Sequence, residues 1–282
     1  MQTRHVKQQL GGRPTADGAG VRLTRVINPQ RPLDPFLMLD QFDSDRADDY
    51  IAGFPAHPHR GFETVTYIID GHMLHEDHLG NRGDLKSGGV QWMTAGRGII
   101  HSEMPQQVDG RLRGFQLWLN LPAAEKMKPA NYRDIAAEEI PEVSLPGARV
   151  KVIAGAFRHG IGADGQVTAG PPIDSPTDPL YLDVQVDPGG ELAVPVDPTY
   201  TALVYVFEGS LLVGSEPVAT GRLAILDAGD TITLGSEAGG RALVLAARPL
   251  REPIVQYGPF VMNTVEEVEQ ALRDYRDGTL TG

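Results

Sequence analysis

Two octapeptides, TVTYIIDG at 64–71 and ALVYVFEG at 202–209, lie 138 positions apart and share one pattern. Each alternates small or polar residues with β-branched and aromatic ones, then closes on an acid followed by glycine. Successive side chains of a strand point to opposite faces, so each octapeptide reads as a half-buried strand ending in a turn. The neighbouring segments repeat as well. RGDLKSGGVQWM (82–93) resembles ATGRLAILDAGDTITL (219–234) in giving a strand, a Gly-Asp or Gly-Gly turn, and another strand. An internal repeat of this kind predicts two β-barrels in tandem. The length, 282 residues, accommodates two domains, here expected at 1–135 and 136–282.

Further strands are expected at 21–30, 36–41, 62–70, 90–96 and 113–121, with turns at 70–72 and 81–84. Glycine (33) and proline (22) are abundant and spread along the chain, which suits many short strands joined by turns. The Pro- and Gly-rich stretch AGPPIDSPTDP (169–179) reads as a connection between the halves. Helix is scarce. TVEEVEQALRDYRDG (264–278) carries a capping box in Thr264 and Glu267, an apolar face of Val265, Val268, Leu272 and Tyr275, and a stop at Gly278. A short second helix is expected within 122–132.

Composition excludes several chemistries. A net charge of −12 is unsuited to phosphate neutralisation, so direct nucleic-acid binding is not expected. No basic amphipathic stretch addresses a membrane surface, and no apolar run approaches the ~20 residues of a membrane span. With no cysteine there is no disulfide, thiolate ligand or cysteine nucleophile. The start, MQTRHVKQQL, lacks the apolar core of a signal peptide, so a cytoplasmic location is expected. No GxSxG supports a serine hydrolase, and GRG at 96–98 lacks the strand–GxGxxG–helix context of a nucleotide site.

Five of the eight histidines fall between 57 and 80. In one strand or its lead-in, His57, His59 and Glu63 share a face, and Pro58 places the pair at a strand start or edge. A second segment, GRGIIHSEMP (96–105), again sets His101 and Glu103 two apart. His57, His59, His101 and Glu103 are therefore the candidate metal ligands. Three imidazoles and one carboxylate without sulfur suit a divalent first-row ion and leave two octahedral positions open. Fe(II), Cu, Mn, Ni and Zn all accept this donor set. Glu63 is a candidate fifth ligand or an acid beside the site. His75, opposite in direction to His72 and His78 on a return strand, is a candidate neighbour of the ligands, whereas His72 and His78 face solvent. Phe54, Trp92 and Met93 are candidates for the apolar mouth of a pocket. At the same offset of 138, His57, His59 and Glu63 fall on Pro195, Asp197 and Thr201, so no second metal site is expected.

These residues carry a family resemblance. GFPAHPHRGFETVTYIIDG (53–71) is similar to the first cupin motif, a Gly, an HxH pair, a Glu and a closing Gly. GGVQWMTAGRGIIHSE (88–103) resembles the second motif in the form used by the pirin family, which adds a carboxylate beside the histidine. REPIVQYGPFVMNTVEEVEQA (251–271) resembles that family's C-terminal signature. The resemblance implies an all-β fold of two tandem cupin (jelly-roll-like) barrels with a C-terminal helix. It implies one metal, usually iron, in the N-terminal barrel at His57, His59, His101 and Glu103. It also implies a quercetin 2,3-dioxygenase-like activity, with a phenolic substrate, O2, and Glu103 as general base. Other pirins are described as metal-containing regulators that bind a protein partner, so membership alone leaves both roles open. The oligomeric state is open too.

Overall fold

The alternating runs become strands in the computed structural model, which describes residues 2–160 and 165–282. In chain order they are β1 (Val6–Gly11), β2 (Arg13–Asp17), β3 (Val21–Ile27), β4 (Phe36–Ser44), β5 (Phe54–His59), β6 (Phe62–Asp70), β7 (His72–Asp77), β8 (Arg82–Lys86), β9 (Val90–Thr94), β10 (Ile99–Pro105), β11 (Leu112–Asn120) and β12 (Asn131–Ile135). Further strands follow from Glu142–Leu145 to Phe260–Met262, and the chain closes on helix α1 (Val265–Arg276).

The contacts divide the chain into two compact units, and the units exchange their ends relative to the expected halves. One comprises Arg13–Ala137 with Leu250–Gly282; the other comprises Met1–Gly12 with Glu138–Pro249. The reason is strand pairing. β1 pairs antiparallel with Arg222–Leu226, Leu10 opposite Leu223, and so covers an edge that would otherwise present unpaired backbone groups. The Arg4 side chain then donates to the carbonyls of Gly229 and Asp197, each at 2.8 Å. Such long-range pairing leaves no local mark on the first ten residues.

The unit built on Arg13–Ala137 holds two sheets. A seven-stranded sheet runs β12-β9-β6-β11-β4-β3-β2, and a four-stranded sheet runs β5-β10-β7-β8. Buried Val21, Phe42, Ile68, Met73 and Leu85 pack between them toward one end. Phe62 packs with Leu37 and Val261 at another place. In the other unit the strand Thr201–Val213, which contains the second octapeptide, pairs with Arg222–Leu226 and Gly240–Ala247. Buried aliphatic side chains such as Val150, Leu182, Val204 and Val244 fill its interior.

Four local expectations are corrected. Residues 57–69 are not one strand: β5 belongs to the four-stranded sheet and β6 to the seven-stranded one. The chain turns at Gly61, whose φ of +91° is costly for any residue with a Cβ. The helix expected within 122–132 is a 3-10 turn over Ala123–Glu125 followed by β12. The stretch 169–179 lies inside one unit rather than between the two. Helix α1 has the expected Thr264–Glu267 capping box, and the Thr279 N–H closes its end on the Asp274 carbonyl at 2.7 Å beyond Gly278. Its buried positions, however, are Val268 and Ala271, whereas Val265, Leu272 and Tyr275 are exposed. Among the described residues no helix is long and apolar enough to cross a membrane.

Candidate functional site

The four-stranded sheet brings the histidines together by register. In the β10–β5 ladder His101 lies opposite His57 and Ile99 opposite His59. Cross-strand partners share a face, so the odd-numbered side chains of both strands converge. Ring centroids are 4.7 Å apart for His57 and His59, 4.3 Å for His57 and His101, and 4.9 Å for His59 and His101. One ring nitrogen from each of the three lies within 4.8 Å of the others.

The protonation chemistry of this cluster favours lone pairs. Burial pushes His59 and His101 well below the usual histidine range, and the neighbouring imidazoles push them further. His59 Nδ1 and His101 Nε2 are buried and find no hydrogen-bond partner among the described residues. His57 Nδ1 is occupied by the Pro55 carbonyl at 2.8 Å, which leaves its Nε2 for another use. A buried ring nitrogen without a partner costs stability, and one ring nitrogen from each histidine lies close enough to the others for a single cation to meet all three. The donor set therefore fits a divalent metal ion.

Glu103 stands on the same strand and the same face as His101, and it is buried. A bulge separates the two positions in the β5 ladder. The carboxylate is not one of the three groups whose ligand atoms meet. It is engaged by the opposite sheet: Thr66 Oγ1 lies 3.0 Å from Oε1, and the Gln116 Nε2 donates to Oε2 at 3.2 Å. Thr66 Oγ1 also lies 2.6 Å from Gln116 Oε1, so its single proton serves one acceptor at a time.

Glu63 does not join this group. β6 begins a new strand after Gly61, and Glu63 is buried with its Oε1 accepting from Thr94 Oγ1 at 2.9 Å. Thr66, of the other parity on β6, is the residue that faces Glu103. His75 is buried, with Nδ1 3.2 Å from His101 Nδ1. His72 pairs with Asp84 at the surface, and His78 is exposed.

Beside the histidines lies a cavity of about 1050 Å³, walled by both sheets. His57, His59 and Glu103 line it from the four-stranded sheet, and Met38, Phe42 and Trp118 from the seven-stranded one. Phe54 lines it as expected. Trp92 and Met93 do not; Met93 packs with Ala95 and Ile99 in a separate core. Arg25 reaches the lining and donates to Asp40 through Nε at 2.9 Å and Nη2 at 2.7 Å. Burial raises the Asp40 carboxyl, and the Arg25 pairing opposes that. The sequence reading missed Thr66, Gln116, Trp118, Arg25 and Asp40. One signal was present: Gln116 and Trp118 stand two apart in RGFQLWLNL, and Asp40 interrupts the apolar run FLML.

The pirin family model matches residues 20–119, and that of the pirin C-terminal cupin domain matches residues 181–281. A Pseudomonas aeruginosa protein, provisionally named a quercetin 2,3-dioxygenase, is 59% identical over 284 residues, covering 98% of each chain. Human pirin is 40% identical over 274 residues, covering 94% of this chain and 90% of its own. A crystal structure of quercetin 2,3-dioxygenase from Acinetobacter baumannii superposes with a TM-score of 0.88 at 33% identity, covering 99% of this chain and 98% of that one.

Proposed function

The chain belongs to the pirin family, and we propose from that premise that it is a metal-dependent, quercetin 2,3-dioxygenase-like enzyme. It would cleave a flavonol or a related enolisable phenol with O2, releasing carbon monoxide from the opened ring. The observation that carries this reading is the meeting of three imidazoles, two of them buried, with a buried carboxylate nearby, beside a cavity that His57, His59 and Glu103 line and that is large enough for a three-ring phenol. The similarity to the P. aeruginosa and A. baumannii proteins supports it.

His57, His59 and His101 would hold the ion, with Glu103 as a fourth ligand or as the acid beside it. Fe(II) is the ion we favour. When bound, a redox-active divalent ion supplies a Lewis-acid point for the substrate oxygen and an electron path to dioxygen. The remaining work falls to the chain itself. Trp118, Phe42 and Met38 offer flat and soft apolar surfaces on which an aromatic ring system packs. Glu103 takes the proton of the reacting hydroxyl as general base. Thr66 and Gln116 hold that carboxylate in place from the opposite sheet. The Arg25–Asp40 pair, already mutually satisfied, presents polar edges to peripheral hydroxyls rather than a free charge.

Two measurements test the reading. Elemental analysis of purified protein should find close to one metal ion per chain in the native protein and a strong loss in His57→Ala and His101→Ala. His72→Ala, outside the cluster, should keep its metal. Quercetin added without oxygen to the metal-loaded protein should persist, and its absorbance should fall once oxygen is admitted. A fully loaded protein that leaves the flavonol intact under oxygen would point instead to a metal-containing regulator with a protein partner.

A further inference from the structure

We propose that His75 is a positioning residue: through its Nδ1 it fixes the tautomer and ring orientation of His101. The inference rests on the metal reading only where metal affinity is measured. The two Nδ1 atoms are 3.2 Å apart, and both rings are 2% exposed. Two ring nitrogens at that distance share one proton, so one ring donates and the other accepts. The two assignments have opposite consequences for the cluster. If His101 Nδ1–H donates, His101 Nε2 keeps a lone pair toward His57 and His59. If His75 donates, His101 must carry its proton on Nε2, aimed into the cluster, where that atom finds no partner among the described residues.

The surroundings of His75 favour the first assignment. Accepting at Nδ1 puts the His75 proton on Nε2, a buried atom that likewise finds no hydrogen-bond partner among the described residues. Gly83 lies directly opposite His75 in the β7–β8 ladder. The Asp134 carboxylate occupies the space that a Gly83 Cβ would fill, held there by the Gln91 side-chain amide at 2.7 Å. Asp77 stands two positions along on the same face. Neither arrangement satisfies every ring N–H, but the Glu103, Asp77 and Asp134 carboxylates that act on His75 favour a proton there over one facing the His57 and His59 imidazoles. The His75 ring is itself fixed. It stacks on Tyr132, with centroids 5.4 Å apart and planes 29° from parallel, and its backbone is held between β10 and β8. A fixed acceptor behind a ligand histidine sets which nitrogen is free and where it points.

The test begins without metal. Long-range proton–nitrogen correlation spectra of histidine-labelled apo protein report the tautomer of each ring. Wild type is expected to show His101 protonated on Nδ1. Two variants then separate positioning from packing. His75→Asn keeps an acceptor near the place of Nδ1, and His75→Leu fills the space without one. The Leu variant is expected to lose the Nδ1–H bias of His101 and to bind Co(II) or Zn(II) about 10–100-fold more weakly in chelator competition. The Asn variant is expected to recover most of both. His101 protonated on Nε2 in wild type, or a Leu variant that binds metal as tightly as wild type, overturns the proposal. So does an Asn variant as weak as the Leu one. If wild type binds no metal at all, the functional reading fails, yet the tautomer still decides the role of His75. If the Leu variant does not fold, the wild-type and Asn spectra decide it.

Discussion

Arg60 Nη1 donates to Asp274 Oδ2 at 2.6 Å, tying the residue after His59 to a helix 214 positions further along the chain. The same guanidinium donates to the carbonyls of Arg97 and Leu280. It thus gathers the end of β5, the loop before β10 and the C-terminal segment, and β5 and β10 carry all three clustered histidines. The Arg60 side chain is 4% exposed and that of Asp274 is 21% exposed. Removing the carboxylate leaves a buried cation with backbone partners only. Asp274→Ala is therefore expected to lower the unfolding free energy in urea by about 2–3 kcal/mol, discounted from a fully buried pair because Asp274 is partly wetted. Amide exchange in α1 should quicken at the same time. A loss under about 0.5 kcal/mol would mean the pair is ornamental.

In the proposed reaction, turnover depends on Glu103. Glu103→Gln keeps the size and much of the hydrogen bonding to Thr66 and Gln116, yet removes the proton acceptor. Oxygen-dependent loss of quercetin should fall by about 10²–10⁴-fold in protein whose metal content is checked first. Full turnover in the metal-replete variant would remove Glu103 from the role of base.

Lys126 supplies a pH-dependent stability. Its ammonium is almost completely buried and donates to Asn120 Oδ1 at 2.6 Å and to the carbonyls of Gly61 at 2.7 Å and Val261 at 2.9 Å. Burial pulls its pKa from 10.5 down to about 8, with Glu252 and Glu267 pulling the other way. Between these values the unfolded chain holds a proton that the folded protein has released, so stability rises as pH rises. Below pH 8 both states are protonated and the contribution is flat. Against Lys126→Met as the non-titrating reference, wild type is expected to gain roughly 3 kcal/mol between pH 8 and 10.5. Urea midpoints across that range measure it, and a constant difference between the two proteins would show that Lys126 keeps its ordinary pKa.

Gly61 is the turn that separates β5 from β6. With φ at +91°, any Cβ there would run into the Val261 carbonyl oxygen, which is backbone and cannot step aside cheaply. Gly61→Ala is expected to cost at least about 1–2 kcal/mol from the dihedral alone, before the clash is counted. Because Lys126 also holds the Gly61 carbonyl, the damage should reach the histidines: metal retained after dialysis should drop along with the melting temperature. A variant as stable as wild type would show that the loop can relax around the added methyl.

Alternation along a strand and spacing within a motif are local, and whatever depends on them could be read directly. That covers β6, β9 and β11, the capping box of α1, and the pairing of His57 with His59 and of His101 with Glu103. The alternative readings that failed were those requiring knowledge of what comes next in space. Glu63 keeps the odd parity of His57 and His59, but a turn at Gly61 moves it to another sheet. Of the expected apolar face Val265, Val268, Leu272 and Tyr275, only Val268 is buried, together with Ala271.

From the residues alone come the β architecture, its repetition, and the three histidines that the fold brings together. Tertiary structure alone decided that β1 leaves its own half, that Thr66 and Gln116 hold Glu103, and that His75 backs His101. The physical reason is that pairing between strands far apart in the chain is chosen by register, edges and burial, none of which a single strand records in its own sequence.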